Sequence, residues 1–238
     1  MNIRKHIPDS ITSMNLLCGV MGVIFTLKGR PDIGFLLMIG GAVFDFFDGL
    51  AARLLKASSG IGKELDSLAD MVSFGVLPSL MLFGLSGSSV PVLKYLPLIL
   101  AVFSALRLAK FNLDERQHEG FIGLPTPAAA MICGSLAYYV HCVPGSLLSG
   151  WCNGSVFIPV LAVVLSALLV CEIPMFSMKF GGGIKSSRAD SVARIVFLVV
   201  CVLALLTVAL TGFSWSLAVL AAFTGYILIN LVLAIIKR

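Results

Sequence analysis

The sequence predicts an all-α integral membrane protein, and its composition is the first observation that leads to this fold class. Hydrophobic residues make up 58% of the 238 residues and charged residues only 12%, whereas a soluble domain carries about 25% charged residues. The mean hydropathy is +1.03. So few charges could not cover the surface of a soluble protein of this size, so the bilayer must serve as the solvent.

Apolar runs of spanning length recur along the whole chain. The hydrocarbon core is about 30 Å thick, so a spanning helix needs roughly 20 mostly apolar residues. The clearest run extends over 42 residues without a charge, from Ile195 to Ile236, and its interruption near Gly212 predicts two helices. About eight transmembrane helices are predicted, namely these two and, before them, Ser13–Leu27, Gly34–Leu55, Ser67–Leu85, Leu93–Lys110, Pro127–Val143 and Ser155–Cys171.

The positions of the basic residues support eight spans with both termini in the cytosol. Only Lys28, Arg30 and Lys94 of the 17 Lys and Arg residues fall on the other side, which leaves 14 in the predicted cytosolic segments. Such an excess of basic residues is typical of cytosolic loops. The basic residues stand singly or in pairs without interleaved aromatics, so the net charge of +5 indicates topology and not nucleic-acid binding. We expect a multi-pass protein of the cytoplasmic membrane.

Four carboxylates lie at the facing ends of the second and third predicted spans, within FDFFDGLAARLLKASSGIGKELDSLAD. An ionisable residue inside a membrane helix is costly and indicates a functional site by default. Asp45 and Asp48 are three residues apart, and Asp66 and Asp70 are four apart, so each pair shares one face of its helix. The ASSG segment predicts a turn between antiparallel helices. The four carboxylates are therefore predicted to converge near the cytosolic interface.

The residues around these carboxylates predict a site for a phosphate ester. Converging carboxylates repel one another unless a cation lies between them, and an all-oxygen set favours Mg²⁺ or Mn²⁺ over zinc. Gly49 and Gly62 have no side chain to obstruct a bulky ligand, and Arg53, one turn after Asp48, is a planar donor suited to phosphate. Two metal ions in this cluster could clamp a pyrophosphate while its bond breaks.

A cation-coupled membrane transporter is the alternative from a different class, because transporters also bury carboxylates. A transporter more typically places them at the middle of the bilayer in interrupted helices, often within an internal repeat. Here the carboxylates cluster toward one side, and no repeat relates the two halves of the sequence. The pattern favours an enzyme.

The acidic segment resembles the signature of the CDP-alcohol phosphotransferases, D-x-x-D-G-x-x-A-R-x8-G-x3-D-x3-D. Every fixed position is matched, by Asp45, Asp48, Gly49, Ala52, Arg53, Gly62, Asp66 and Asp70. Within this family the chain is most similar to the bacterial and archaeal CDP-diacylglycerol–serine O-phosphatidyltransferases, over roughly residues 1–130. That likeness rests on IPDSIT, NLLCG, LDSLADMVSFGVLPS, RLAKFN and GLPTPAAA.

The resemblance implies a six-helix catalytic core, usually in a homodimer, and the two predicted C-terminal helices are additional to that core. We expect a single membrane domain over residues 1–238, with the core in residues 1–178 and a cytosolic loop and the two extra helices in residues 179–238. The implied reaction transfers the phosphatidyl group from CDP-diacylglycerol to L-serine, giving phosphatidylserine and CMP. A sister enzyme that uses glycerol 3-phosphate or inositol as the acceptor is the alternative within the family.

The resemblance also implies roles for the residues of the cytosolic side. The four aspartates would bind two divalent ions, and Asp70 would in addition accept the proton of the acceptor hydroxyl. Gly49, Arg53 and Gly62 would hold the nucleotide phosphates. Thr12 and Asn15, near the start of span one, are candidates for nucleotide contact, with helix capping as the alternative.

Serine differs from other acceptor alcohols because it carries both a carboxylate and an ammonium group. An acceptor pocket should therefore present a guanidinium together with amide groups. Arg107 and Asn112, in the RLAKFN segment at the cytosolic end of span four, are the candidates for binding the acceptor. Lys110 in the same segment is better explained as a marker of the cytosolic boundary.

Overall fold

The structure, a computed structural model, describes residues 6–55, 60–113, 121–175, 188–212 and 214–236. These residues are helical almost throughout, apart from the turns and one pair of two-residue strands. Five of their helices are long and apolar enough to cross a membrane, and two further apolar helices are shorter. The described part of the chain is therefore an all-α membrane protein, in agreement with the composition.

The first two helices form a hairpin joined by a three-residue turn. Helix α1 spans His6–Leu27 and helix α2 spans Pro31–Leu54, with Gly29 in the turn at φ +76°. Pro31 lies at the first position of α2, where its missing N–H has no helical partner to lose. A Cβ atom on Gly34 would clash with Thr26 Oγ1. A residue without a side chain therefore allows the two helices to approach closely.

The third helix changes its winding directly after the acidic segment. Helix α3 spans Gly60–Leu85 and contains a π-helical segment, Met71–Val76. The N–H of Leu77 donates to the carbonyl of Val72, five residues earlier. Pro78 follows at once and cannot donate to the carbonyl four residues before it, which favours the wider hydrogen-bond pattern. Single π turns of this kind occur frequently at functional sites.

The following helices complete the middle of the bundle. Helix α4 spans Pro91–Leu113 and packs on the π-helical segment. The remaining elements of this part are the helices α5 (Thr126–Cys142), α6 (Leu147–Cys152) and α7 (Phe157–Val170) and the antiparallel strands β1 (Phe121–Ile122) and β2 (Pro174–Met175). Most residues of α5 are buried, which makes it the central helix. A Cβ atom on Gly134 of α5 would clash with the ring of Phe35, so α5 and α2 pack closely at this glycine.

The last two helices pack against one another and against the bundle. Helix α8 spans Arg188–Thr211 and helix α9 spans Trp215–Ile236, and the break contains Gly212 at φ +67°. Trp215 stacks on Phe35 and also contacts Tyr138, with ring centroids 4.9 Å from the latter. The apolar side chains of α8 that face outward suit contact with lipid: Ile195, Val199, Val202, Leu206 and Leu210 are all exposed.

Each predicted span corresponds to a helix of the structure, although the bounds differ at several ends. Helix α1 begins at His6 and not near Ser13, so the polar residues near the start of that predicted span lie inside a helix. The number of crossings stays a prediction, because α5, α7 and the apolar part of α8 are shorter than the five long helices. The short helix α6 and the strand pair were not anticipated. The expected boundary at residue 178 lies outside the described residues.

Candidate active site

The ends of α2 and α3 bring three carboxylates together. Ligand oxygens of Asp45, Asp48 and Asp66 all lie within 4.8 Å of one another. Asp48 is buried, with 6% of its surface exposed, while Asp45 and Asp66 are half-buried. The spacing of three residues places the two α2 carboxylates on one face, and α3 supplies the third.

The fourth predicted aspartate lies at the edge of the same cluster. Asp70 is the last residue before the π-helical segment, and its Oδ1 accepts a hydrogen bond from Asn15 Nδ2 at 3.2 Å. It interacts electrostatically with Asp45, Asp66 and Asp48. Four acidic groups thus share one partly buried region, and a cation between them would offset their mutual repulsion.

The donor atoms of this cluster fit a hard divalent cation. Oδ1 of Asp66 is buried and has no hydrogen-bond partner among the described residues. A buried carboxylate oxygen without a partner is costly, and a bound cation would satisfy it. The grouped side chains are all carboxylates, and carboxylate oxygens are the ligands of Mg²⁺ and Mn²⁺. These three carboxylates could therefore hold a metal ion.

Two polar residues of α1 contact the carboxylates directly. Thr12 Oγ1 donates to Asp48 Oδ2 at 2.6 Å, and Asn15 holds Asp70 as described above. Both residues lie well inside α1, so the helix-capping alternative for them is wrong.

The predicted phosphate-binding residues lie on the open side of the cluster. Arg53 is exposed, and its Nε donates to the carbonyl of Gly49 at 2.9 Å. A Cβ atom on Gly49 would meet no atom within 4 Å, so there is free space beside this turn. Gly62 lies in the first turn of α3. The arrangement leaves room for a large polar group next to Asp48.

The two predicted acceptor-binding residues point to different neighbours. Asn112 Nδ2 donates to Ser67 Oγ at 2.8 Å, next to Asp66 in sequence. Arg107 is buried, with 4% of its surface exposed, and its Nε donates to the carbonyl of Leu124 at 3.4 Å. Five residues along a helix correspond to a rotation of roughly 140°. The structure therefore does not bring Arg107 and Asn112 together, although both lie on α4.

Sequence reasoning missed the polar residues of α9 that approach Arg107. Tyr226 is buried and interacts electrostatically with Arg107. Asn230 is also buried, and its Nδ2 donates to the carbonyl of Tyr226 at 2.8 Å. The sequence did contain a signal for this contact, namely a tyrosine and an asparagine inside an otherwise apolar span, because polar groups in a membrane helix require partners.

Comparison with known proteins identifies related sequences over most of the chain. A family model described as CDP-alcohol phosphatidyltransferase matches residues 5–171. The match includes all four aspartates and ends before α8 and α9, so the two last helices lie outside it.

Several curated relatives share the printed name CDP-diacylglycerol–serine O-phosphatidyltransferase. The relative from Mycobacterium tuberculosis H37Rv is 37% identical over 180 residues, which cover 72% of this chain and 61% of the relative. The one from Bacillus subtilis 168 is 34% identical over 187 residues, which cover 77% of this chain and 98% of the relative. The one from Methanocaldococcus jannaschii is 32% identical over 177 residues, with 72% and 75% covered. The chain thus spans less than two thirds of the length of the mycobacterial relative and nearly the whole length of the Bacillus one.

Proposed function

Since the chain belongs to the CDP-alcohol phosphatidyltransferase family, we propose that it transfers the phosphatidyl group of CDP-diacylglycerol to L-serine and releases CMP. The observation that carries this proposal is the carboxylate cluster of α2 and α3, which occupies the family signature and has the all-oxygen donors that such chemistry needs. The shared name of the curated relatives supports serine as the acceptor. Membership of this family favours the enzyme over the cation-coupled transporter.

The four aspartates would bind two divalent ions, Mg²⁺ or Mn²⁺. Asp66 could offer these ions a buried oxygen that has no hydrogen-bond partner among the described residues. When bound, such ions neutralise the charge that develops on a pyrophosphate as its bond breaks. The protein contributes the fixed positions of these ligands. Asp45 and Asp48 lie one helical turn apart on α2, and α3 closes the cluster from the other side.

Asp70 would act as the general base. Its carboxylate takes the proton of the serine hydroxyl, and the serine oxygen forms a bond to the phosphorus that carries the diacylglycerol. The bond from that phosphorus to the oxygen of CMP breaks, and CMP leaves with the electron pair. The amide of Asn15 occupies Oδ1 of Asp70, which leaves Oδ2 for the proton. General bases placed in this way contribute about 10²–10⁴-fold to the rate.

Gly49, Arg53 and Gly62 would hold the nucleotide end of the lipid. The open space beside Gly49 admits a phosphate, and the exposed guanidinium of Arg53 lies next to it. Arginine can form two parallel hydrogen bonds to a phosphate, which a lysine cannot. We place the diacylglycerol tails toward the lipid-facing surface of α2, where Val43, Phe46 and Phe47 are exposed.

Arg107 and Asn112 would recognise the two charged groups of serine from different sides. The buried guanidinium of Arg107 would pair with the carboxylate. One N–H of the Asn112 amide is donated to Ser67, and its carbonyl oxygen can accept from the ammonium group. The separation of the two residues on α4 suits a small acceptor that lies between them.

The cellular arrangement follows from the charge distribution and the family. We place the protein in the cytoplasmic membrane as a homodimer, with the termini and the carboxylate cluster on the cytosolic side. The catalytic core would occupy residues 1–178, followed by a cytosolic loop and the two extra helices in residues 179–238. The excess of Lys and Arg in the predicted cytosolic segments supports this orientation.

An acceptor panel with the purified protein tests the function. The protein in detergent is given CDP-diacylglycerol, Mg²⁺ or Mn²⁺, and one of serine, glycerol 3-phosphate, inositol or choline, and CMP release is measured. We expect efficient release only with serine. Release with glycerol 3-phosphate or inositol would assign the sister activity, and no release with any alcohol, together with cation flux in vesicles, would contradict the enzyme.

A further inference from the structure

We propose that Thr12 and Asn15 are positioning residues. Their two hydrogen bonds form a brace, by which α1 fixes the position of Asp48 on α2 relative to Asp70 on α3. The inference rests on the metal site of the proposed function and assigns these two residues a different role from nucleotide contact. A brace of this kind would determine the metal affinity of the cluster without touching the substrate.

The two contacts come from one face of α1 and reach two different helices. Thr12 donates to Asp48 at 2.6 Å and Asn15 to Asp70 at 3.2 Å. Because the two donors are three residues apart, they lie on the same face of α1. Each contact uses one oxygen of its carboxylate. The separation of Asp48 from Asp70 is therefore tied to one rigid element.

The side chain of Asn15 is held in a single orientation. It is fully buried, and its Oδ1 faces Gly41, where a Cβ atom would lie 2.8 Å from that oxygen. That oxygen has no hydrogen-bond partner among the described residues. Turning the amide over would bring this oxygen against the carboxylate of Asp70 and lose the hydrogen bond. The contact to Asp70 thus determines which way the amide points.

The backbone of α1 is joined to the π-helical segment at the same level. Ser73 Oγ donates to the carbonyl of Asn15 at 3.0 Å. Gly19 allows this approach, because a Cβ atom there would clash with the side chain of Ser73. Asp70 directly precedes the π-helical segment, so the same contact that anchors α1 also determines where Asp70 lies.

The hydrogen bonds that Thr12 and Asn15 already make, together with their burial, favour positioning of the carboxylates over contact with the nucleotide. Thr12 and Asn15 have 3% and 0% of their surface exposed, whereas Arg53 and Gly49 are exposed on the open side of the cluster. The polar atoms by which the two α1 side chains could recognise a nucleotide, Thr12 Oγ1 and Asn15 Nδ2, are already donated to the carboxylates. Groups that orient metal ligands in this way typically alter metal affinity by about 10–100-fold when they are removed.

Manganese binding to the substrate-free protein tests the brace. The native protein and the variants Thr12→Val, Thr12→Ser and Asn15→Leu are titrated with Mn²⁺ in detergent, and free Mn²⁺ is followed by electron paramagnetic resonance. We expect at least roughly tenfold weaker binding for Thr12→Val and Asn15→Leu, and binding close to native for Thr12→Ser, which keeps the hydroxyl. In transfer assays at saturating Mn²⁺, kcat should fall more than the KM for CDP-diacylglycerol rises.

Matched controls separate positioning from general damage. Ser13→Ala alters the neighbouring, exposed hydroxyl, which donates to the carbonyl of Asp9, and the variant should bind Mn²⁺ like the native protein. Ser73→Ala removes the anchor to Asn15 without touching a carboxylate and should weaken Mn²⁺ binding by a smaller factor. It keeps the test open if Asn15→Leu does not fold.

The outcomes distinguish this inference from the proposed function. The brace would be overturned, and the metal site left intact, if Thr12→Val and Ser73→Ala both bind Mn²⁺ with native affinity. An equal loss of Mn²⁺ affinity in Thr12→Val and Thr12→Ser would have the same meaning. A native protein that binds no Mn²⁺ would instead remove the metal site on which the proposed function depends. A KM effect without a kcat effect would return Thr12 to a role in nucleotide contact.

Discussion

Trp215, the first residue of the last helix, stacks on Phe35 of α2 with ring centroids 5.6 Å apart and an interplanar angle of 10°. Phe35 is fully buried and lies on the helix that carries Asp45 and Asp48. The stack therefore connects a helix outside the region matched by the family model to a helix inside it. The last helix belongs to the same packed core as the carboxylate cluster.

Replacing Trp215 should destabilise the fold. Trp215→Ala removes the ring contacts to Phe35 and Tyr138, and aromatic pairs contribute about 0.5–1.5 kcal/mol each beyond burial. We expect a loss of about 1–3 kcal/mol, seen as a lower melting temperature in detergent. Trp151→Ala is the control, because Trp151 is exposed and contacts only Phe157 among the aromatic rings of the described residues. Equal losses in both variants would contradict the structural role of the stack.

Replacing the proposed base should abolish turnover. Asp70→Asn keeps an oxygen near the cluster but cannot accept the proton, so we expect kcat to fall about 10²–10⁴-fold while Mn²⁺ binding is partly kept. CMP release under saturating substrates measures the first effect, and Mn²⁺ titration measures the second. Glu172→Gln is the control, because Glu172 is an exposed carboxylate that pairs with Lys110 and lies outside the acidic cluster. Near-native turnover by Asp70→Asn would remove its role as base.

Replacing Arg53 by lysine should selectively weaken the binding of CDP-diacylglycerol. Arg53→Lys keeps the positive charge but loses the planar pair of donors, so the KM for CDP-diacylglycerol should rise about tenfold with kcat little changed. Arg30→Lys is the matched control at the other end of α2, where Arg30 pairs with Asp32. If the two variants have the same kinetics, Arg53 does not contact the phosphates.

Replacing Arg107 should affect serine more than the lipid. Arg107→Lys loses the planar pair of N–H donors that would bind the serine carboxylate, and we expect the KM for serine to rise about tenfold. The KM for CDP-diacylglycerol should stay near its native value. Lys110→Ala serves as the control, because Lys110 forms a half-exposed ion pair with Glu172. A parallel rise in both KM values would indicate that Arg107 supports the fold and not the acceptor.

Reporter fusions test the orientation of the predicted spans. Fusions after residues 60, 117 and 184 should report the cytosol, and fusions near residues 90 and 148 should report the outside. The reason is the excess of Lys and Arg in the predicted cytosolic segments. A fusion at residue 184 that reports the outside would mean that the spans before it were miscounted.

The helices and the convergence of the carboxylates were predictable because they depend on local patterns. Long apolar runs specify the helices, and spacings of three and four residues place Asp45 with Asp48 and Asp66 with Asp70 on shared faces. The short segment between α2 and α3 leaves the two helices little freedom except to run side by side. These features require no knowledge of how distant helices pack.

The remaining features of the site depend on packing between distant parts of the chain. Thr12 and Asp48 are 36 residues apart, and their hydrogen bond exists only because α1 packs beside α2. Arg107 and Asn112 share a short sequence segment, so they were assigned to one pocket, but the rotation of α4 separates them. The approach of Tyr226 to Arg107 depends on where the last helix docks, which no local pattern specifies.

The π-helical segment Met71–Val76 constrains how this protein can be recombined with its relatives. Its wider turn changes the rotation, about the helix axis, of the residues that follow it. The side chains of Leu77–Leu85 therefore face different neighbours than they would in a regular α-helix. A chimera with its junction inside this segment would join the outer half of α3 from one parent to the helical rotation set by the other parent. Junctions placed before Asp70 or after Leu85 preserve that rotation, and a single-residue deletion within the segment would rotate the outer half by about 100°.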